Sequence, residues 1–62
     1  MSKPELELSG QDGNAFSILG RARGVAKKAG WSTEEFKKFR EEAMSGNYDH
    51  LLATCDKYFD VT

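Results

Sequence analysis

Gly30-Trp31-Ser32-Thr33-Glu34-Glu35-Phe36 is the stretch on which the fold turns. Ser32-x-x-Glu35 has the spacing of a capping box, in which the hydroxyl and the carboxylate each satisfy a backbone N–H left orphaned at a helix start. Trp31 before the cap and Phe36 after it stand where a hydrophobic staple would join. Gly30, just upstream, is the residue type that ends a helix in the left-handed region. One helix therefore stops and another begins here.

Reading backward from Gly30, Ala15, Ile18, Leu19, Ala22, Val25, Ala26 and Ala29 recur at the 3.6-residue period and predict a helix from about Ala15 to Ala29. Asn14 is its natural N-cap, with Asp12 as competitor. Reading forward, Phe36, Phe39, Ala43 and Met44 form the inward stripe of the second helix, which Gly46 ends. Glu34 with Lys38, and Lys38 with Glu42, are spaced for weak surface pairing. A third helix runs from near Asp49 to about Lys57, with Leu51, Leu52, Cys55 and Tyr58 or Phe59 on its buried side.

The ends of the chain read differently. Glu5-Leu6-Glu7-Leu8 and Phe59-Asp60-Val61-Thr62 alternate apolar and polar residues, the period of a strand with Leu6, Leu8, Phe59 and Val61 turned inward. Two lone strands leave their backbone groups unsatisfied unless they pair, within one subunit or between two. The expected class is α+β, mostly helical: three helices with short N- and C-terminal strands, in one domain over residues 1–62 with 1–4 flexible.

Composition narrows what such a domain can be. Sixty-two residues make a thin core, and at this size a disulfide, a metal or a partner subunit commonly adds stability. A single cysteine excludes an internal disulfide, and one cysteine with one histidine excludes an ordinary three- or four-ligand zinc site. A small homo-oligomer is the expected remaining source. Nine basic against ten acidic residues give a net charge of −1, which argues against a generic duplex-binding protein and equally against an acidic mimic of nucleic acid. No apolar run approaches a membrane span, no signal peptide is visible, and the lone thiol suits a reducing cytoplasm.

Three features bear on chemistry. Gly10-x-x-Gly13-Asn14 lies between a strand and a helix N-terminus, where unpaired N–H groups and the helix dipole favour an anion. It lacks the P-loop Gly-Lys-Ser/Thr and the dinucleotide GxGxxG, and the plainer reading is an ordinary turn capped by Asn14. The first helix carries Gly20 and Gly24 four apart, a shallow groove for a close neighbour, flanked by Arg21, Arg23, Lys27 and Lys28. Arginine suits phosphate because its planar fork donates two bonds at once. Asn47-Tyr48-Asp49-His50 groups an aromatic face for a base, a carboxylate for an exocyclic amine and an imidazole for phosphate or sugar. The plainer reading is a capped helix start with Tyr48 on the core and His50 in solvent.

The case for catalysis is thin. Cys55 sits among apolar positions, and Ser9 and Ser17 have no evident base unless His50 reaches one on folding. A non-enzymatic protein without a cofactor is expected.

Two segments, Asp12-Gly13-Asn14-Ala15-Phe16 with Ile18 and Gly20, and Ser45-Gly46-Asn47-Tyr48-Asp49-His50-Leu51-Leu52, resemble a group of very small proteins of phages and bacterial mobile elements, the resemblance running from Leu6 to Val61. The group is in turn similar to viral sponge proteins of the anti-CBASS type. That resemblance implies an oligomeric immune-evasion protein that sequesters a cyclic oligonucleotide signal in the host cytoplasm without chemistry. Residue chemistry then nominates Gly13 and Asn14 at the helix start, Arg21 and Arg23 for phosphate, and Tyr48 and His50 for base and sugar. The competing readings are a protein-binding inhibitor of a host defence complex, with Trp31 and Phe36 or Phe39 as its hot spot, and a small nucleic-acid-binding accessory protein.

Overall fold

A computed structural model describes residues 3–62. The element order is β1 (Glu5–Leu6), α1 (Ala15–Lys28), α2 (Thr33–Ala43), α3 (Tyr48–Tyr58) and β2 (Asp60–Val61). The protein is α+β and mostly helical, and the two terminal strands do pair. They run parallel, with Glu5 opposite Asp60 and Leu6 opposite Val61. Parallel strands need a long crossover, and here the crossover is all three helices. The regular strands are shorter than the alternation predicts, although their bonding extends further: Asp60 N–H donates to the Pro4 carbonyl, Thr62 N–H to Leu6, and Leu8 N–H to Thr62, at 2.8, 3.0 and 2.8 Å. Of the segment expected to be flexible, Met1 and Ser2 lie outside the described residues. Lys3 Nζ donates to the Asp56 carbonyl at 2.8 Å.

The helix ends follow their local chemistry. Asn14 caps α1 by accepting from Phe16 N–H at 2.9 Å. Asp12 supports it from outside, accepting from Asn14 N–H and from the Ser17 hydroxyl, both at 3.0 Å. At the far end Gly30 has φ +86°, its N–H reaches the Lys27 carbonyl, and Trp31 N–H reaches Ala26: a complete Schellman ending. Both halves of the capping box form, Ser32 N–H to Glu35 Oε1 at 2.8 Å and Glu35 N–H to Ser32 Oγ at 3.1 Å. Asn47 caps α3 by accepting from His50 N–H at 2.9 Å.

The core gathers Leu6, Ile18, Leu19, Ala22 and Ala26 from the first half of the chain with Phe39, Ala43, Leu51, Cys55 and Phe59 from the second. Phe39 is its hub: the rings of Trp31, Tyr58 and Phe59 meet it edge-on, and Phe36 lies tilted against it. Trp31 stacks on Phe59 at 4.9 Å and 15°. Trp31 and Phe36 thus meet through Phe39 rather than as a closed staple.

Four expectations need correction, two of them inward assignments. Met44 is half-exposed, because as the C-cap of α2 it falls in the row of Lys37 and Arg40, which faces an open groove beside α1 rather than the core. Leu52 lies at the surface because the buried face of α3 centres on Leu51, Thr54 and Cys55. Thr54 is tolerated inside because its hydroxyl donates to the His50 carbonyl at 2.8 Å. Gly46 lies beyond the helix it was expected to end, and its φ is not positive. Glu42 turns from Lys38 to α3, accepting from Lys57 Nζ at 2.9 Å and from the Tyr58 hydroxyl at 2.8 Å. No helix among the described residues is long and apolar enough to cross a membrane.

Candidate functional site

The sequence-nominated residues fall into separate places. Gly13 and Tyr48 do come together: the Tyr48 hydroxyl donates to the Gly13 carbonyl, and a methyl group on Gly13 would sit 3.3 Å from the Tyr48 hydroxyl oxygen. This contact ties the turn before α1 to the start of α3. Asn14 lies beside it, with its side-chain oxygen committed to the cap. Tyr48 is still half-exposed, so part of its ring face remains open to solvent.

His50 is drawn elsewhere. Its Nε2 lies 2.8 Å from the Glu42 carbonyl and 3.1 Å from the Ser45 hydroxyl, under the C-terminal end of α2. The Ser45 hydroxyl itself donates to the same carbonyl at 2.7 Å. With Nε2 as donor, histidine and serine share an acceptor rather than a proton, so this pair is not arranged as nucleophile and base. Gly46 explains itself here. A Cβ at that position would lie 2.8 to 3.0 Å from three atoms of His50.

Arg21 and Arg23 diverge, as residues two apart on a helix must. Arg21 is half-buried, donates to the Gln11 side chain, and lines a hollow between β1 and α1 with Glu5, Glu7, Gly24 and Lys28. That hollow carries both signs of charge. Arg23 faces a different space, the groove between α1 and α2. Gly20 lines that groove while Gly24 lines the hollow, so the two glycines do not form one groove as their spacing suggests.

The α1–α2 groove is the larger concavity, about 780 Å³. Its apolar lining comes from Leu19, Ala26, Trp31 and Phe36, and Phe16 and Met44 stand at the end remote from the helix turn. Phe16 is 76% exposed, far more than any other large apolar side chain among the described residues. From Phe16 to Lys27 is three turns, so the groove runs roughly 16 Å along α1. It exists because α1 and α2 touch sparingly while α2 packs closely on α3.

Its electrostatics are one-sided. Arg23, Lys27, Lys37 and Arg40 line it, and no aspartate or glutamate does. The one ion pair among the described residues is Lys57–Glu42, so none of these four cations is held in an ion pair there. The remainder of the protein has five basic residues against ten acidic, so a chain with net charge −1 concentrates positive charge in one place. Charge lining a low-dielectric cleft focuses the field and attracts counter-ions. Lys37 and Arg40 escaped the sequence reading because α2 as a whole has mixed charge. That these two, and none of its acids, line a shared groove appears only once α1 is placed beside them.

Titratable groups with clear shifts lie outside the groove. Hydrogen bonds from Asn14 N–H and Ser17 hold Asp12 below the usual carboxylate range. Lys57 and Tyr58 do the same to Glu42. Burial pushes the Cys55 thiol up, which leaves it a poor nucleophile. No cluster of three or more potential metal ligands occurs among the described residues. Comparison of the chain with protein-family models, curated proteins and solved structures gives no match.

Proposed function

We propose that this chain is a non-catalytic binding protein that sequesters a small anionic nucleotide, of the cyclic dinucleotide class, in the groove between α1 and α2. The observation that carries the reading is the set of Arg23, Lys27, Lys37 and Arg40 around an apolar floor, with no carboxylate in the lining and none of the four in an ion pair among the described residues. Two arginines offer planar forks to phosphate oxygens. Phe16, Phe36 and Trp31 supply faces on which a base can stack. A near-neutral chain with one local basic site suits a ligand of few charges better than a polyanion.

The cyclic character of the ligand, and its role as a host defence signal withheld by a phage-type immune-evasion protein, rest on the motif resemblance described above. Assembly into a small homo-oligomer is part of the same proposal and rests on the thinness of the core. Light scattering on the eluting protein reads it directly. A thermal-shift screen against cyclic di- and trinucleotides, with linear nucleotides as controls, tests the ligand. Binding to the folded state raises the melting temperature through RT ln(1 + [L]/Kd). A shift of several degrees for a cyclic species supports the proposal, and a flat response across the panel at 100 μM, on the order of 100 times a micromolar Kd, removes it.

One observation favours a second reading, an inhibitor that binds a host protein. Phe16 and Met44 are exposed together at one end of the groove, 76% and 49%. They replace Phe39 as candidate hot spot, since Phe39 is fully buried. A protein retained by the wild type and lost with Phe16→Ala distinguishes this reading.

A further inference from the structure

Building on the nucleotide reading of the groove, we infer that it is a two-anion site in which Gly20 leaves room on the α1 wall: it accepts a rigid body that carries an aromatic ring and two separated anionic groups, and discriminates against ligands bearing one. The cations do not form one cluster. Arg23 and Lys27 are one turn apart on α1, and Lys37 and Arg40 one turn apart on α2, so each wall of the groove carries its own pair. Helices in packing contact lie roughly 8–10 Å apart, and these two hold a groove open between them. A single phosphate engaging one wall leaves the opposite pair without a counter-charge, whereas two phosphates on one rigid body answer both walls.

Gly20 supplies the independent observation. A glycine inside a helix is less favourable than alanine, and a packed neighbour commonly accounts for its presence. Here a Cβ on Gly20 would meet nothing within 4 Å, so no contact inside the chain requires the glycine. It lines the groove on the α1 wall itself, one turn from Phe16 on one side and from Arg23 on the other, where a missing side chain lets a ring approach the backbone beside the cations. Gly24 has the same open surroundings but faces the hollow shared by Glu5, Glu7, Arg21 and Lys28, where two carboxylates oppose an anion.

Calorimetric titration of the full chain tests the inference with four kinds of probe: cyclic di- and trinucleotides of adenylate and guanylate, adenosine 3′,5′-cyclic monophosphate, inorganic pyrophosphate, and an RNA hexamer. A cyclic dinucleotide should bind at least about tenfold tighter than the monophosphate, which has the body but one charge, and than pyrophosphate, which has charge without the body. Arg23→Gln and Lys37→Gln, one on each wall, should each weaken it about tenfold. Gly20→Leu should raise the melting temperature of the unliganded protein and weaken binding about tenfold or more, a combination that a merely structural glycine does not give. Failure of every cyclic nucleotide to bind removes the sequestration reading and this inference with it. Cyclic dinucleotide binding that the monophosphate matches, or that Gly20→Leu leaves unchanged, overturns the inference alone. Tightest binding to the hexamer overturns it in favour of a polyanion.

Discussion

Gly46 and His50 form a lock at the α2–α3 turn. The imidazole ties off the Glu42 carbonyl, and it fits only because position 46 has no side chain. Gly46→Ala should destabilise the protein by about 1–3 kcal/mol, the range for forced overpacking. His50→Ala removes the obstacle, so the double variant should be more stable than the sum of the two single losses implies. Denaturant titration of the four proteins reads the cycle. Sequence alone identified both residues but not their relation, because a glycine without positive φ leaves no mark in the pattern of turns. The link between Gly13 and Tyr48 was hidden for a different reason: the two are 35 positions apart. Cys55, read correctly as buried, has a thiol pushed up by that burial. A disulfide-exchange reagent at neutral pH should therefore label it no faster than the chain opens, and rapid labelling of the native protein would contradict its burial.

At the level of the element, helix ends were legible and helix faces only partly so. Caps depend on residues within four positions of one another, and Asn14, Gly30, Ser32 with Glu35, and Asn47 all act where their chemistry puts them. Ser32→Ala should cost about 1 kcal/mol, read by chemical denaturation. Faces depend on what another element presents, which is why Leu52 and Met44 were misplaced. The α2–α3 seam brings its own pH dependence through Glu42. Lys57 and Tyr58 lower its pKa in the fold, so the unfolded chain takes up the proton first as pH falls. The contribution is complete above the ordinary carboxylate range, roughly pH 4–4.5, and is lost as pH drops through the lower native value. Melting temperature should thus fall below about pH 4.5, and less steeply in Glu42→Gln. Lys57 and Tyr58, both raised by Glu42, give the opposite slope at the alkaline end.

At the scale of the molecule, the strand pairing was legible in the alternation at both ends, and its parallel sense was not. The basic groove was half legible. The cations of α1 stood out, but their partners on α2 were masked by the glutamates on the same helix. Parallel closure makes the last residues structural. Deleting Asp60 to Thr62 removes four backbone bonds that join these residues to Pro4, Leu6, Leu8 and Ser9, a loss of about 4 kcal/mol at ~1 kcal/mol each. That is a large part of what a domain this small possesses, and circular dichroism during a urea titration should show a much earlier midpoint for the shortened chain.

The same pairing decides how the protein meets mechanical load. Because β1 and β2 point the same way, tension applied at the two ends of the chain drags them past one another along their length. Every bond between them is then stretched together, instead of opening one after another as in a zipper. The three helices are shielded behind that clasp, and the chain yields only when the clasp slips.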